Sequence, residues 1–393
     1  MMVLKKQLTH FLLNMKNDLT KRNKINNNKI IKVKKVLYIF RHDELSDYFT
    51  STGSFSGPAD FLWGLGSLDA EKIDRYYVNA PRLEKRKGIR KFTNIIERPF
   101  SKYTKIGFPI EIYPLFKKQI NKADEIFCVN DAISLSILFW KALGKMKKKK
   151  IRCIIMSLQE REKYFKRKKI IIRFISFLFR HADTLITLSN EAKNNFSKKY
   201  NIGSTKVETC YFGIDTSFWN PSFSIEKDDY ILSVGNDMNR DFNTLIKATP
   251  DSQKLKIVTK RKLDVQNKKV DIISNWVSDN ELREFYQKAK IVVIPSINVK
   301  NESPGLSCSL QALSCKAPLI IPRIPTLSEL FRDKIDCLFY EPEDSIDLMK
   351  KIELMNGNKT KRENISENGH NTVIEKYSTT TMGNRLTEII YEV

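Results

Sequence analysis

The sequence predicts an α/β protein of two domains, each a doubly wound parallel sheet, with the two sheets facing a cleft. Three observations support this fold class. The 393 residues are enough for two domains of ordinary size. Short apolar runs alternate with helix-like stretches in both halves of the chain, as they do in parallel sheets. The alternation is interrupted at "TSFWNPSFSIEKDD", where Pro221 and polar residues mark a domain boundary.

Ten apolar runs are predicted strands. Five lie before the boundary: "KKVLYIF" (34–40), "EIFCVN" (125–130), "IRCIIMS" (151–157), "DTLITLS" (183–189) and "VETCYFG" (207–213). Five lie after it: "DYILSVG" (229–235), "LKIVT" (255–259), "VDIIS" (270–274), "KIVVIPS" (290–296) and "APLIIP" (317–322). Helices are expected between them, and Ser278 with Glu281 three positions later predicts a capping box at the start of one.

We therefore expect four segments in the chain. Residues 1–30 form a basic leader, and residues 31–220 form an N-terminal domain. Residues 221–375 form a C-terminal domain, and residues 376–393 form a final helix that can pack back on the N-terminal domain.

The net charge of +24 is confined to the first half of the chain. Residues 1–220 hold 44 Lys and Arg against 20 Asp and Glu, whereas residues 221–393 hold 25 of each kind. Such a surface suits anionic lipid, nucleic acid or an acidic substrate. The sequence has neither a DNA-reading motif nor the aromatic–glycine pattern of RNA-binding sheets, so we expect no nucleic-acid partner.

Two basic runs point to a membrane surface. They are "KMKKKK" (145–150) and "REKYFKRKK" (161–169), and the second leads directly into the apolar "IIIRFISFLF" (170–179). This combination favours peripheral binding to an anionic bilayer. The alternative is that 170–179 is a buried helix and the lysines only keep the protein soluble.

Other signals restrict the cofactor and the compartment. The six cysteines form no C-x-x-C pair and the four histidines do not cluster with them, so we expect no metal, no disulfide framework and a reducing compartment. The sequence contains no apolar run of membrane-spanning length and no recognisable signal peptide. The predicted location is the cytoplasm, with the protein peripheral on the inner face of the cell membrane.

The segment "SPGLSCSLQALSCKAPLIIP" (303–322) follows a predicted buried strand and suggests an anion site. Gly305 allows the backbone to approach a ligand closely, and a helix beginning near Leu306 points free N–H groups toward it. The hydroxyl of Ser307 adds a donor. Because ligands of doubly wound sheets bind at the carboxyl ends of the strands, a diphosphate would suit this pocket.

From residue 211 onward the chain resembles a known family. The segments are "FGIDTSFWNP", "ILSVGNDMNRDFNTLIKA", "VSDNELREFYQKAKIVVIPS", "ESPGLSCSLQALSCKAPLIIPRIPTLSEL" and "CLFYEPEDSIDLMKKI". They are similar, in order, to motifs of the retaining, nucleotide-sugar-dependent glycosyltransferases of the GT-B fold, the group called family four or glycosyl transferases group 1. The resemblance implies two Rossmann-like domains, with the nucleotide sugar on the C-terminal domain and the acceptor on the N-terminal domain.

The resemblance also implies roles for individual residues. Arg240 and Lys260 stand where the group places cations against the donor diphosphate, with Arg261 as a rival to Lys260. Glu302 or Ser303 stands at the first glutamate of a paired-glutamate motif, and Gln311 stands at the second. The implied catalytic residues are Arg240, Lys260 and Glu302, and the implied donor-binding residues are Gly235, Ser303, Gly305, Leu306, Ser307, Gln311 and Glu329.

Several positions differ from the family pattern. Glu302 lies nine residues before Gln311, where the family spacing is eight, and Ile324-Pro325 replaces a usual glycine pair. Gln311 keeps an acceptor oxygen for ribose hydroxyls and loses the charge, so we expect Gln311→Glu to keep or strengthen donor binding. These differences keep open a non-catalytic subunit of a glycan assembly system as the alternative function.

Acceptor-side candidates come from the first half. His42 and Asp43 follow the first predicted strand and are candidates to bind the acceptor or act as a base. The glycine-rich "STGSFSGPADFLWGLGS" (51–67) is predicted to be a mobile acceptor loop.

The predicted activity is transfer of a sugar from a nucleotide diphosphate to a lipid-linked or polysaccharide acceptor, with retention of configuration. No metal or other cofactor is expected, since Arg240 and Lys260 would stabilise the leaving diphosphate. The motifs leave the sugar, the nucleobase, the acceptor and the oligomeric state open.

Overall fold

The computed structural model describes most of the chain, and everything below refers to that part. The described residues are 33–40, 57–80, 90–156, 158–222, 225–263, 265, 270–299 and 304–392. They form two six-stranded parallel sheets flanked by helices, which confirms the predicted fold class.

The N-terminal sheet has the strand order β2-β1-β3-β4-β5-β6. Its strands are β1 (Lys34–Phe40), β2 (Ile73–Asn79), β3 (Glu125–Cys128), β4 (Lys150–Ile154), β5 (Thr184–Thr187) and β6 (Val207–Thr209). Its α-helices are α1 (Arg90–Thr104), α2 (Ile112–Lys122), α3 (Asp131–Ala142), α4 (Leu158–Arg161), α5 (Lys168–Phe179) and α6 (Asn190–Tyr200). Strand β2, at one edge, was not predicted.

The C-terminal sheet has the strand order β12-β11-β10-β7-β8-β9. Its strands are β7 (Tyr230–Val234), β8 (Lys254–Val258), β9 (Val270–Ile273), β10 (Ile291–Val293), β11 (Leu319–Pro322) and β12 (Leu338–Tyr340). Its helices are α7 (Phe242–Ala248), α8 (Asp279–Lys288), α9 (Leu306–Ser314), α10 (Pro325–Leu330), α11 (Ser345–Gly357) and α12 (Lys359–Lys376). Helix α8 begins with the predicted Ser278–Glu281 capping box.

A last helix, α13 (Thr379–Glu392), lies against the N-terminal sheet. The guanidinium of Arg152 donates to the carbonyl of Ile390 at 3.1 Å, and the hydroxyl of Tyr391 donates to the carbonyl of Lys72 at 2.8 Å. One apolar cluster runs from this face of the sheet through α13 into the C-terminal domain. The final helix therefore ties the two domains together.

The glycine-rich segment differs from its prediction over residues 57–68. Two short 3-10 helices, Asp60–Leu62 and Leu65–Ser67, lie in this stretch, and four apolar side chains in or directly after them are buried: Leu62, Trp63, Leu65 and Leu68. A Cβ on Gly383 of α13 would lie 2.4 Å from the carbonyl oxygen of Ser67. This part of the predicted mobile loop is a packed element, because aromatic and aliphatic residues between its glycines join the core.

Candidate donor site between the two sheets

The strand order of the C-terminal sheet creates a crevice between β7 and β10. From β7 the chain winds through β8 to β9, and from β10 it winds through β11 to β12 on the other side. The loops that leave β7 and β10 therefore diverge at the carboxyl ends of two neighbouring strands. This topological switch point is where doubly wound sheets bind ligands.

Arg240 occupies this crevice between two glycines. Its Nε donates to the carbonyl of Val234 at 3.1 Å, and the residue is 4% exposed. A Cβ on Gly235 would lie 2.1 Å from that Nε, and a Cβ on Gly305 would lie 2.7 Å from Nη1. Both glycines have positive φ, +150° and +81°. The chain thus uses the absence of two side chains to hold one guanidinium at the strand ends.

Among the described residues, Asp237 provides the carboxylate paired with the guanidinium. Oδ2 of Asp237 lies 3.0 Å from Nη1, although the contact lacks hydrogen-bond geometry, and the Asp237 side chain is 39% exposed. Nη2 donates only a weak contact to Sγ of Cys308 at 3.7 Å. An anion that entered the crevice could displace the exposed Asp237 side chain and take over its contact with Arg240.

Helix α9 begins beside the guanidinium. Gly305 is its N-cap, and it provides no side-chain acceptor for the N–H groups of the first turn. Leu306 is buried, whereas Ser307 is half-buried. The helix start and Arg240 therefore present N–H donors and positive charge to one place, which is the chemistry of an anion site.

Of the two rival cations, Arg261 supports the loop and Lys260 is exposed. Nη1 of Arg261 donates to the carbonyl of Arg240 at 2.6 Å, and its guanidinium lies 5.4 Å from the ring of Phe242. The backbone N–H of Lys260 donates to Oδ1 of Asn236 at 2.6 Å, and the Lys260 residue is exposed. The arrangement favours Lys260 as the second cation available to a ligand.

Glu329 bridges the domains. Its Oε1 accepts from the N–H of Asn190 at 2.8 Å and from the hydroxyl of Tyr211 at 2.9 Å, and its Oε2 accepts from the N–H of Glu191 at 2.9 Å. The carboxylate thus lies at the positive end of helix α6. Burial and the bond to Glu329 raise the pKa of the Tyr211 hydroxyl to about 12, so it remains a donor.

Gln311 also bonds across the interface. Its Nε2 donates to Oδ2 of Asp60 at 2.9 Å, and both residues are buried. Burial raises the pKa of the Asp60 carboxyl to about 6. Sequence reasoning missed Asp60, since its partner lies 251 positions away and no local spacing marks it.

Four predicted residues cannot be placed relative to this crevice. Glu302, Ser303, His42 and Asp43 lie outside the described residues. The structure brings together Gly235, Arg240, Gly305, Leu306 and Ser307, and it places Gln311 and Glu329 at the domain interface.

A separate cavity of about 400 Å³ opens where β6, α6 and α13 meet. Its lining includes Lys193, Lys376 and Arg385, and Arg385 pairs with Glu208 at 3.0 Å. Within the described ranges, no helix is long and apolar enough to cross a membrane. The same ranges contain no cluster of three or more His, Cys, Asp or Glu that could hold a metal ion.

Comparisons with known proteins agree with this geometry. Residues 217–372 match the family Glycosyl transferases group 1. The O-antigen chain mannosyltransferase RfbU of Salmonella typhimurium is 28% identical over 191 residues, which cover 45% of this chain and 52% of that protein. An uncharacterized glycosyltransferase of Methanocaldococcus jannaschii is 23% identical over 222 residues, 49% of this chain and 56% of that protein. The chain thus spans about half the length of the curated relatives it matches.

Solved structures share the whole fold. HepE from Anabaena, crystallised with UDP and glucose, superposes with a TM-score of 0.64 at 13% identity, covering 92% of this chain and all of HepE. A glycosyltransferase from Rickettsia africae gives a TM-score of 0.61 at 15% identity, covering 92% of this chain and 98% of that one. The protein has the GT-B fold, and residues 217–372 of its C-terminal part are similar to the glycosyl transferases group 1 family.

Proposed function

We propose that the protein is a glycosyltransferase that takes a sugar from a nucleotide diphosphate. The observation that carries the proposal is the buried Arg240, held between Gly235 and Gly305 beside the start of helix α9. Negative charge grows on the diphosphate as the sugar leaves. A fixed guanidinium and helix N–H groups stabilise that charge without reorganising, which is an effective form of catalysis.

Each residue then has a chemical task. Arg240 and the N–H groups of α9 bind the diphosphate, and Lys260 reaches it from the loop after β8. Glu302 and Ser303 precede α9 in the sequence and are proposed to act on the donor, and His42 or Asp43 is proposed to act on the acceptor. The cations take the part that a metal ion plays in other transferases. Retention of configuration follows only from the resemblance to family four.

The acceptor is proposed to be a lipid-linked or polysaccharide glycan. The relative named as an O-antigen chain mannosyltransferase supports a role in building a surface glycan. A thermal-shift screen against nucleotide sugars tests the donor, because a ligand that binds only the folded state raises its melting temperature. UDP-, GDP-, ADP- and dTDP-sugars are the probes, and a melting temperature unchanged by every one would contradict the proposal.

A non-catalytic subunit remains the second candidate. It is favoured by Gln311, whose amide bonds to Asp60 in the structure, and by Ile324-Pro325 in place of two glycines. Slow hydrolysis of the bound nucleotide sugar separates the two functions. Turnover that disappears in Arg240→Ala and persists in Arg362→Ala, a matched arginine on α12, identifies the enzyme. Binding without any turnover, with or without acceptor glycans, identifies the subunit.

The membrane proposal rests on one surface of the N-terminal domain. Helix α5 buries Ile171, Ile175, Leu178 and Phe179 and exposes Ile170, Arg173 and Phe177, so 170–179 is neither fully buried nor fully exposed. Helix α1 lies beside it: the N–H of Lys166 donates to the carbonyl of Tyr103 at 3.0 Å. Exposed apolar residues continue across this junction: Ile95, Ile96, Tyr103 and Tyr164.

The two basic runs lie at opposite ends of β4. Residues 145–150 lead into that strand, and residues 161–169 follow it, at the carboxyl edge that faces the cleft. Only the second run adjoins the apolar residues of α1 and α5. We expect this surface to bind anionic lipid on the cytoplasmic face of a membrane and so to bring a membrane-attached acceptor to the cleft.

Vesicle sedimentation tests this surface. Reversing Lys163, Lys166 and Lys169 to glutamate should release the protein from anionic vesicles, whereas reversing Lys145, Lys147 and Lys148 changes the net charge equally and should leave most binding. High salt should also release the wild type, because it screens the charges. Equal loss in both variants would show that only net charge matters, and absence of wild-type binding would favour a soluble acceptor.

A further inference from the structure

One buried carboxylate joins three parts of the chain at the domain interface. Asp60, from the N-terminal domain, is 0% exposed. Its Oδ1 accepts from the N–H of Asp215 at 2.7 Å, and its Oδ2 accepts from Nε1 of Trp219 at 2.8 Å and from Nε2 of Gln311 at 2.9 Å. The first two donors lie in the segment between the domains, and the third lies on helix α9.

The same junction is reinforced by contacts around it. Oδ2 of Asp215 accepts in return from the N–H of Ala59 at 3.2 Å, and the hydroxyl of Ser314, also on α9, donates to the carbonyl of Trp219. Trp219 is 1% exposed. Helix α9 is therefore fixed at two points: Gln311 bonds to Asp60 itself, and Ser314 bonds to Trp219, whose indole bonds to Asp60.

A carboxylate suits this position better than its neutral isosteres. Three N–H donors converge on Asp60, and a carboxylate accepts through both oxygens. An asparagine would turn its own amide hydrogens toward one of these donors. Within the described part of the chain, the titratable groups that face this charge are Asp215 and the neutral thiol of Cys315, and neither is a cation. Burying a charge in this way is costly, which is consistent with its raised pKa.

We propose that Asp60 is a positioning residue that sets helix α9 against the N-terminal domain through Gln311, and so fixes the anion-binding start of that helix in the cleft. Six residues separate Gln311 from Gly305 at the site, which is about 9 Å along a helix. A displacement at Gln311 therefore reaches the diphosphate site through a rigid element. The inference rests on the proposed function.

The bond from Gln311 to Asp60 predicts that Gln311→Glu weakens donor binding, in contrast to what the family resemblance implies. A glutamate there would place a second carboxylate about 3 Å from Asp60, and two buried like charges cannot both ionise without cost. Exchanging the two groups in Asp60→Asn/Gln311→Glu keeps one carboxylate, one amide and the hydrogen bond between them. The double variant should therefore recover much of what Gln311→Glu loses, because only one carboxylate remains, although the amide introduced at position 60 still faces the N–H of Trp219.

The experiment measures hydrogen exchange of α9 and donor affinity in four proteins. They are the wild type, Asp60→Asn, Gln311→Glu and the double variant, with Asp228→Asn as a control at an exposed acid of the C-terminal domain. Both single variants should exchange the amides of 306–314 faster and bind the donor found in the screen about tenfold more weakly, since hydrogen bonds to a buried charge are lost. The double variant should bring both quantities closer to the wild type than Gln311→Glu does, which a general loss of stability would not do.

The two readouts separate this inference from the proposed function. Unchanged exchange of α9 in Asp60→Asn and Gln311→Glu would overturn the positioning role whatever the donor result. A double variant that exchanges the amides of α9 at least as fast as Gln311→Glu would also overturn it. If the wild type binds no nucleotide sugar while the exchange pattern appears as expected, the proposed function fails and the contact from Asp60 to α9 stands.

Discussion

Gly235→Ala tests whether the crevice is shaped around Arg240. The new Cβ would lie 2.1 Å from Nε of Arg240 and 2.7 Å from its Cζ and Nη2, far inside van der Waals contact. The backbone φ of +150° adds strain for any residue with a side chain. The guanidinium must leave its place, so the variant should behave as if Arg240 were missing.

The magnitude follows from that displacement. Loss of one fixed transition-state donor lowers kcat by about a hundredfold, or about 2.7 kcal/mol. Backbone strain should lower the free energy of unfolding by about 1–3 kcal/mol in addition. Gly357→Ala is the matched control, because nothing lies within 4 Å of a Cβ built there and its φ is not positive.

The assay is turnover of the nucleotide sugar in the single and double variants. Because Gly235→Ala and Arg240→Ala act through one guanidinium, the double variant should be hardly worse than Arg240→Ala alone. Additive losses would show that Gly235 has a task of its own. Wild-type turnover in Gly235→Ala would refute the idea that the glycine makes room for a catalytic guanidinium.

Three further predictions concern other parts of the molecule. Cys308 is half-buried beside Arg240, while the other five cysteines are buried. A maleimide should therefore label Cys308 first, and a bound nucleoside diphosphate should slow the labelling. Equal labelling rates with and without the nucleotide would argue against this site. Burial raises the folded-state pKa of Asp60 from 3.8 to about 6, so the unfolded chain loses this proton at lower pH than the folded protein does. Between about pH 4 and about pH 7, the free energy of unfolding of the wild type should therefore fall by up to about 3 kcal/mol relative to that of Asp60→Asn. Urea-unfolding free energies that change in parallel with pH in the two proteins would contradict this. Arg152 is fully buried and pairs with Glu125 at 2.7 Å, while Lys34 pairs with the other oxygen of Glu125 at 3.0 Å. In urea unfolding, Arg152→Met should therefore cost less than the ~3–5 kcal/mol expected for a buried charge left unpaired, because Lys34 remains. A larger loss would contradict this compensation by Lys34.

The sequence predicted most strands and the layer architecture because those features are written in local patterns. All ten predicted strands overlap strands of the structure, although several were drawn too long: 151–157 became Lys150–Ile154. The Ser278–Glu281 capping box was found because it needs only two residues three positions apart. Strand β2, "IDRYYVN", was missed because charged and polar residues interrupt it at the sheet edge. Strand β12 was also missed, because its three residues are too few to form a recognisable apolar run.

The site was predictable only in part. Gly305 was predicted from the turn between a buried strand and a helix, Arg240 and Gly235 were predicted from motif resemblance, and the structure places the three together. The bond between Asp60 and Gln311 was not predictable, since it depends on how two domains dock and joins residues 251 positions apart. The packing of residues 57–67 in the glycine-rich segment was not predicted, for the same reason. Its glycines suggested mobility, whereas the apolar residues between them are buried by α13 and the C-terminal domain.

The measurement that bears most directly on the central claim is calorimetric titration with nucleosides and their phosphates. The wild type and Arg240→Ala would each be titrated with a nucleoside, its monophosphate and its diphosphate, using the base identified in the screen. The structure predicts that the wild type prefers the diphosphate and that Arg240→Ala loses at least about tenfold in diphosphate affinity while its nucleoside affinity is unchanged. Equal wild-type affinity for nucleoside and diphosphate, or diphosphate affinity unchanged by the substitution, would contradict a diphosphate site built around Arg240.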